Sequence, residues 1–90
     1  MYNLKGTPGA GRDIERLKRR APRQDFEGLS AAIRSLSEEP RPRGVRKLKG
    51  AEAVYRIRVG NYRIVYRVLD NERIVELVEV ARRNEGTYRI

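Results

Sequence analysis

Residues 54–68, with the sequence VYRIRVGNYRIVYRV, alternate strictly in side-chain character on both sides of Gly60-Asn61. A Gly-Asn pair between two alternating runs is typical of a two-residue β-hairpin turn. Because successive side chains of a strand point to opposite faces, the turn position determines which residues share a face. The segment therefore predicts an antiparallel hairpin, and the other elements must pack around it.

A turn at Gly60-Asn61 sorts the hairpin side chains onto two faces. Arg58 then lies directly opposite Arg63, and Tyr55 lies opposite Tyr66. One face, which we expect to meet the helices, holds Tyr55, Ile57, Val59, Tyr62, Ile64 and Tyr66. The other face holds Arg56, Arg58, Arg63 and Arg67.

The arginine face has the composition of a phosphate-binding site. Like charges directly opposite across two strands are destabilising, which makes the Arg58–Arg63 pair unusual. Residues 41–67 contain nine basic residues and one acid, Glu52, and so carry nearly all of the net charge of +9. A charged strand face can also be a plain solvated surface, but such surfaces ordinarily mix both signs. The pattern favours a site that clamps phosphate with guanidinium groups.

A short strand and two helices are predicted before the hairpin. The strand covers residues 1–6, and Thr7-Pro8 follows as a helix-start signal, with Thr as N-cap and Pro at the first helical position. Pro22 interrupts the first helix, whose apolar stripe is Ala10, Ile14 and Leu17. The second helix is predicted over 22–37, because one helical face carries Phe26, Leu29, Ile33 and Leu36.

A basic loop and a final strand complete the chain. Prolines stop the second helix, so residues 40–50 are predicted to form a loop. Residues 74–81 are predicted to form the third strand of a meander. Its expected core face, from alternation, is Ile74, Val78 and Val80. Arg83 would then join Glu79 on the arginine face, and Arg82 would point elsewhere.

The order of elements is therefore β-α-α-β-β-β within a single domain, residues 1–90. An α+β fold with two N-terminal helices packed on a curved antiparallel β-sheet is the economical arrangement. The last three strands form a meander, so the first strand must pair at the sheet edge or beside the last strand. Tyr88 is a lone aromatic residue in a basic tail, where it either packs on the sheet edge or stacks on a nucleobase.

The residue inventory excludes several classes of chemistry. The chain has no cysteine and no histidine, which excludes a disulfide framework, a zinc site and a Ser-His-Asp triad. A net charge of +9 on 90 residues indicates a polyanionic partner. No apolar run is long enough to span a membrane and no signal peptide opens the sequence, so we expect no membrane partner and a cytoplasmic protein. No metal, cofactor or small-molecule ligand is expected.

The segment LKGAEAVYRIRVGNYRIVYRV, followed by VEVARRNEGTY, resembles toxins of the RelE/ParE superfamily from type II toxin–antitoxin systems. The approach EEPRPRGVRKLKG and the opening strand with its Thr-Pro helix start are similar to the same family, so the resemblance covers almost the whole chain. It implies a RelE-like, microbial-RNase-like fold. It also implies a toxin that inhibits translation as a ribosome-dependent mRNA endoribonuclease, an mRNA interferase needing no metal.

The reaction implied by the resemblance is attack of a ribose 2′-hydroxyl on the adjacent phosphate, with the 5′-oxygen as leaving group. The catalytic residues carried over are Arg56, Arg58, Arg63, Arg83 and Tyr88. Further RNA contacts are expected from Arg41, Arg43, Arg46, Lys47, Lys49, Arg67 and Arg82. Some relatives have lysine at the positions of Arg56 and Arg58, and arginine is a poor general base. Proton removal would then fall to Tyr88, to Glu79 or Glu85, or to ribosomal RNA.

Two alternatives remain at the level of the sequence. One is a ParE-like inhibitor of DNA gyrase, which is not an enzyme, and the other is an inactive relative that only binds RNA or a partner. A shared fold cannot separate them. The co-facial arginines favour the nuclease. All three hypotheses imply a cognate acidic, RelB-like antitoxin as protein partner. The nuclease hypothesis also implies mRNA on the ribosome as a partner.

Overall fold

The computed structural model describes residues 1–50 and 52–84. Two helices pack on one five-stranded sheet with the strand order β1-β5-β4-β3-β2. In chain order the elements are β1 (Asn3–Gly6), α1 (Pro8–Arg20), α2 (Arg23–Ser35), β2 (Arg46–Lys47), β3 (Val54–Val59), β4 (Tyr62–Leu69) and β5 (Ile74–Arg82). The predicted α+β fold and element order are confirmed.

Helix α1 begins where the sequence predicts it. The Thr7 hydroxyl accepts a hydrogen bond from the Ala10 amide at 3.1 Å, and Pro8 occupies the first turn. Three basic residues in the last turn suit the negative end of the helix dipole, and the helix ends before Pro22. Helix α2 has no side-chain cap hydrogen bond and ends at Ser35, two residues earlier than predicted.

The hairpin of β3 and β4 has the predicted register. Arg58 pairs with Arg63 and Tyr55 pairs with Tyr66 across the two strands. Gly60 adopts a φ of 57°, a left-handed conformation that glycine reaches without steric cost and that the tight turn requires. The turn chemistry therefore fixes which hairpin residues share a face.

The core lies between the two helices and the sheet face that carries Tyr62, Ile64 and Tyr66. Leu17 of α1, Leu29 of α2 and the following Leu36 are buried against Ile64 and Tyr66 of β4. The rings of Tyr55 and Tyr66 stack with centroids 6.1 Å apart. The Tyr66 hydroxyl donates to the carbonyl oxygen of Pro40 at 2.7 Å, so its one polar group is satisfied inside the protein.

Two features of the sheet differ from the sequence expectation of an antiparallel sheet. Strand β1 pairs in parallel with β5 at the sheet edge, which makes the sheet mixed. Within the predicted loop 40–50, Arg46–Lys47 forms the short edge strand β2, antiparallel to β3. Two residues are too few for alternation to reveal a strand.

The predicted core face of β5 is right at Val80 and wrong at Ile74 and Val78. A register shift opposite Val65/Tyr66 places a β-bulge in the pairing of β4 with β5. Val75, Leu77 and Val80 are the buried core residues of this strand, whereas Ile74 and Val78 are only partly buried. A bulge adds one residue to one strand and so reverses the alternation beyond it.

In the described part of the chain, neither helix has the length and apolar character that crossing a bilayer would require.

Candidate nucleic-acid interface

A cleft of about 530 Å³ opens where the β3–β4 turn meets the end of β5. Four cationic side chains and two amide side chains line it: Arg58, Asn61, Arg63, Arg82, Arg83 and Asn84. Three of the four arginines, Arg58, Arg82 and Arg83, are exposed to solvent. The cleft therefore presents several permanent positive charges around one concave space.

The strand pairing brings these side chains together. The hairpin register places Arg58 beside Arg63, and β5 places Arg82 opposite Tyr62. Beyond the strand, the Arg83 amide donates to the Asn61 carbonyl at 2.8 Å. The Arg83 guanidinium also donates to the Gly60 carbonyl at 3.3 Å. The end of β5 is thus tied to the hairpin turn.

Arg63 lies at the base of the cleft, with 5% of its surface exposed. Its Nε donates to Glu79 Oε1 at 3.4 Å, and its Nη1 donates to the carbonyls of Arg82 and Arg83 at 3.1 and 3.3 Å. Glu79 is equally buried, at 4%. Arg63 therefore uses several of its donors to hold the end of β5, and one carboxylate compensates its charge.

Arg82 was expected to point away from the arginine face. Its guanidinium carbon lies 5.9 Å from the centre of the Tyr62 ring, yet the side chain also lines the cleft. The Tyr62 hydroxyl donates to Asp25 Oδ2 on α2 at 3.0 Å. Burial raises the pKa of Tyr62, and the hydrogen bond to Asp25 raises it further. The ring is therefore a neutral platform for the Arg82 cation.

Arg56 and Arg46 form a second pair of opposed arginines, across β2 and β3. Neither lines the cleft. Arg46 is exposed and Arg56 is half-buried on the edge side of the sheet. The sequence correctly places Arg56 on β3, but the pairing with Arg46 depends on the short strand β2 that the sequence did not reveal.

Two of the predicted RNA-contacting arginines are held by carboxylates away from the cleft. Arg41 donates to Asp70 at 2.8 and 3.3 Å and to the Tyr55 hydroxyl at 3.1 Å. Arg67 donates to Glu76 at 2.7 Å. The hydrogen bonds from Arg41 and from the Tyr2 hydroxyl lower the pKa of Asp70. The charges of both arginines are therefore balanced by carboxylates.

The remaining predicted RNA-contacting residues lie outside the cleft, in the segment between α2 and β3. Lys47 and Lys49 line a separate shallow depression of about 590 Å³ with Leu48, Gly50 and Glu52. Arg43 is exposed on the preceding loop. Tyr88 and Glu85 lie outside the described residues, so their predicted roles stay predictions.

Sequence reasoning missed the two amides of the site and the pairing of its acid, Glu79, with Arg63. Asn61 was assigned only to the turn and Asn84 to the tail, although both line the cleft. Glu79 was placed on the arginine face, but nothing in the sequence indicated that it would pair with Arg63. Arginine stays protonated at physiological pH, so the cleft can bind phosphate and stabilise developing negative charge but its arginines cannot remove a proton.

A family model described as the ParE toxin of type II toxin–antitoxin systems, parDE, matches residues 4–86. A protein of Methanocaldococcus jannaschii assigned as toxin RelE1 is 34% identical over 71 residues, which are 76% of this chain and 78% of that protein.

Solved structures have the same fold. The isolated RelE toxin of E. coli is similar with a TM-score of 0.76 and 25% identity, covering 96% of this chain and 88% of that one. The RelBE2 toxin–antitoxin complex of Mycobacterium tuberculosis contains a chain with a TM-score of 0.73 and 28% identity, covering 91% of this chain and 98% of that one.

Proposed function

This chain belongs to the ParE toxin family of type II toxin–antitoxin systems, within the RelE/ParE superfamily, and from that premise we propose that its arginine cleft binds and cleaves messenger RNA on the ribosome. The toxin role follows from membership of the family. The observation that supports RNA cleavage is the convergence of Arg58, Arg82 and Arg83 on one cleft above the buried Arg63. A phosphate diester fits such a cleft because it is an anion with several acceptor oxygens.

The proposed reaction joins the ribose 2′-oxygen to the adjacent phosphorus and breaks the bond from phosphorus to the 5′-oxygen. The phosphorane formed on the way carries extra negative charge, which the exposed arginines are suited to stabilise. The 2′-hydroxyl proton must pass to a base, and the 5′-oxygen must gain a proton. Glu79 is buried and bound to Arg63, which makes it unsuitable. Proton transfer is assigned to Tyr88, Glu85 or ribosomal RNA.

A wider surface is proposed to hold the rest of the RNA or the ribosome. It comprises the cations that are exposed or half-buried around β2 and its preceding loop: Arg43, Arg46, Lys47, Lys49 and Arg56. Arg41 and Arg67 are left out of this surface because carboxylates already bind them. Phosphate contacts of this kind give affinity with little sequence preference.

An acidic antitoxin is proposed as the protein partner. Related chains of similar structure occur in complexes of RelE with RelB, including the complex from Mycobacterium tuberculosis described as a toxin–antitoxin complex. An acidic segment would neutralise the basic face of this chain and compete with RNA for it. A cytoplasmic location follows from the ribosomal target.

Inhibition of DNA gyrase is the second candidate, because the matching family model is that of ParE toxins. Purified protein separates the two candidates when added to a translation extract and to a gyrase supercoiling reaction. We expect the wild type to stop translation and to leave supercoiling unchanged. Arg58→Ala combined with Arg83→Ala should restore translation, since both side chains are exposed and line the cleft.

The matched control is Arg12→Ala combined with Arg19→Ala. It removes the same charge from the exposed side of α1, where both residues line another depression. This control should inhibit translation like the wild type. Inhibition of supercoiling with normal translation would replace the nuclease proposal by gyrase inhibition.

A further inference from the structure

The outer edge of β5 is covered by two different elements along its length. Strand β1 pairs with β5 only as far as Gly6, which lies opposite Leu77. At that point the chain turns into α1, and Thr7 bonds to β5 through its amide to the Leu77 carbonyl, at 3.0 Å, and its hydroxyl to the Val78 carbonyl, at 3.4 Å. From Val78 onward, α1 covers the edge in place of a strand.

A carboxylate on α1 satisfies this part of the β5 backbone. Asp13 is 1% exposed, and its Oδ2 accepts a hydrogen bond from the Val80 amide at 3.0 Å. Its Oδ1 accepts from Arg16 Nη2 at 3.2 Å. A buried amide without a partner is costly, and a carboxylate acceptor makes a strong bond to it. Asp13 thus supplies the acceptor that a neighbouring strand would otherwise provide.

The hydrogen bond between Val80 and Asp13 lies just after the β-bulge, on the part of β5 that leads into the cleft. Val75 and Leu77 face the core before the irregularity, and Val80 faces the core after it. Regular alternation from Leu77 would instead turn Glu79 into the core and away from Arg63. The bulged register therefore places Glu79 beside Arg63. The hydrogen bond to Asp13 is made by the amide of Val80, the residue directly after Glu79.

We propose that Asp13 is a positioning residue for the cleft: its carboxylate holds β5 in the bulged register and thereby sets the place of Arg82 and Arg83. The inference rests on the proposed function in taking RNA phosphate as the ligand of the cleft. Asp13 itself lies in α1, on the helix side of β5, and acts through the strand.

The test compares three variants by RNA affinity and by amide hydrogen exchange. The probe is a short single-stranded RNA with 2′-O-methyl groups, which binds but cannot undergo 2′-hydroxyl attack. Asp13→Ala removes the acceptor, Asp13→Asn keeps an amide oxygen in its place, and Leu17→Ala weakens the packing of the same helix at a buried position. Affinities are measured where each variant is folded.

We expect Asp13→Ala to speed exchange of the Val80 amide. It should also weaken RNA binding about tenfold, because displacing Arg82 or Arg83 loses about one charge-assisted hydrogen bond to phosphate. Asp13→Asn should bind RNA nearly as the wild type does. Leu17→Ala should lower stability without changing the affinity. If Asp13→Ala does not fold, Asp13→Ser is the second variant, because its hydroxyl lies closer to the backbone of α1 and farther from Val80.

Two results would overturn the inference. One is RNA binding by Asp13→Ala, or by the serine variant, equal to that of the wild type. The other is an equal loss of affinity in Leu17→Ala, which would make the effect one of general stability. Failure of the wild type to bind the RNA would instead remove the proposed function. In that case the positioning role is tested by NMR. Amide resonances of Glu79, Arg82 and Arg83 that are the same in Asp13→Ala as in the wild type would reject it.

Discussion

Arg63 illustrates how a residue on the arginine face can serve the site without being open to solvent. Its guanidinium is bound by Glu79 and by the two carbonyls at the end of β5. Loss of activity on substituting Arg63 would therefore not by itself identify a phosphate contact. The exposed Arg58 and Arg83 are the residues whose substitution reports on the ligand.

Arg63→Met should destabilise the protein by about 3–5 kcal/mol, because it removes one partner of the buried Arg63–Glu79 ion pair. The double variant Arg63→Met with Glu79→Leu should regain much of that stability, since it removes both charges together. Urea unfolding of the wild type, both single variants and the double variant gives the coupling between the two sites. Additive effects of the two substitutions would show that the pair is not coupled.

Asp70 should make stability depend on acid pH. Its pKa is lowered in the folded protein by hydrogen bonds from Arg41 and Tyr2, so it lies below the unfolded value of about 3.9. As pH falls from the unfolded pKa through the lower folded pKa, the unfolded chain binds more protons at Asp70 than the folded protein does. The contribution of Asp70 to stability is then lost. Asp70→Asn should therefore be less stable than the wild type near pH 6, with the difference shrinking toward pH 3. A difference independent of pH in urea unfolding would contradict this assignment.

At the scale of elements, the accuracy of the sequence predictions follows from how local each signal is. The hairpin register was predictable because two turn residues determine all its pairs. The bulge was not, because one inserted residue in β5 depends on its pairing with β4. The predicted alternation is wrong before the bulge and right after it. Glu79 lies after the bulge, so it was predicted on the correct face. Strand β2 exists only through its pairing with β3.

The ion pairs beyond the hairpin were unpredictable for a similar reason. Glu76 and Asp70 come from β5 and from the turn after β4, and only the tertiary fold brings them to Arg67 and Arg41. The sequence therefore predicted the basic face but not which of its charges are already balanced. Of the predicted set, the cleft brings together Arg58, Arg63, Arg82 and Arg83.

The start of α1 gives a prediction at this scale. Thr7→Ala should destabilise the protein by about 1 kcal/mol, because the Ala10 amide loses its cap acceptor. Thr7→Ser should keep most of the stability, since its hydroxyl can accept the same hydrogen bond. Thermal or urea unfolding of the three proteins measures both effects. Equal losses in the alanine and serine variants would assign the effect to the Thr7 methyl group instead.

Across the whole molecule, the charge is divided between a cleft, an edge surface around β2 and the exposed side of α1. The cleft is where guanidinium groups from the hairpin and from the end of β5 converge on one space. The edge surface and α1 add a long-range positive potential, which attracts a polyanion without selecting its sequence. Affinity for RNA is thus expected from the whole surface, and cleavage from the cleft.

The salt dependence of RNA binding should reflect this division. Affinity for single-stranded RNA should fall as salt rises, and the slope of log K against log salt should become shallower by about 0.7 for each phosphate-binding arginine removed. Arg58→Ala with Arg83→Ala should therefore flatten the slope more than Arg12→Ala with Arg19→Ala. Fluorescence anisotropy at several salt concentrations measures it, and equal slopes in the two double variants would place the RNA outside the cleft.

Primer extension on a messenger RNA, with and without purified ribosomes, measures the proposed activity most directly. The wild type and the Arg12/Arg19 double alanine variant should produce new 5′ ends within codons only when ribosomes are present, and the Arg58/Arg83 double alanine variant should produce none. An intact messenger RNA under both conditions, with wild-type protein that still arrests growth when expressed, would contradict cleavage by this cleft.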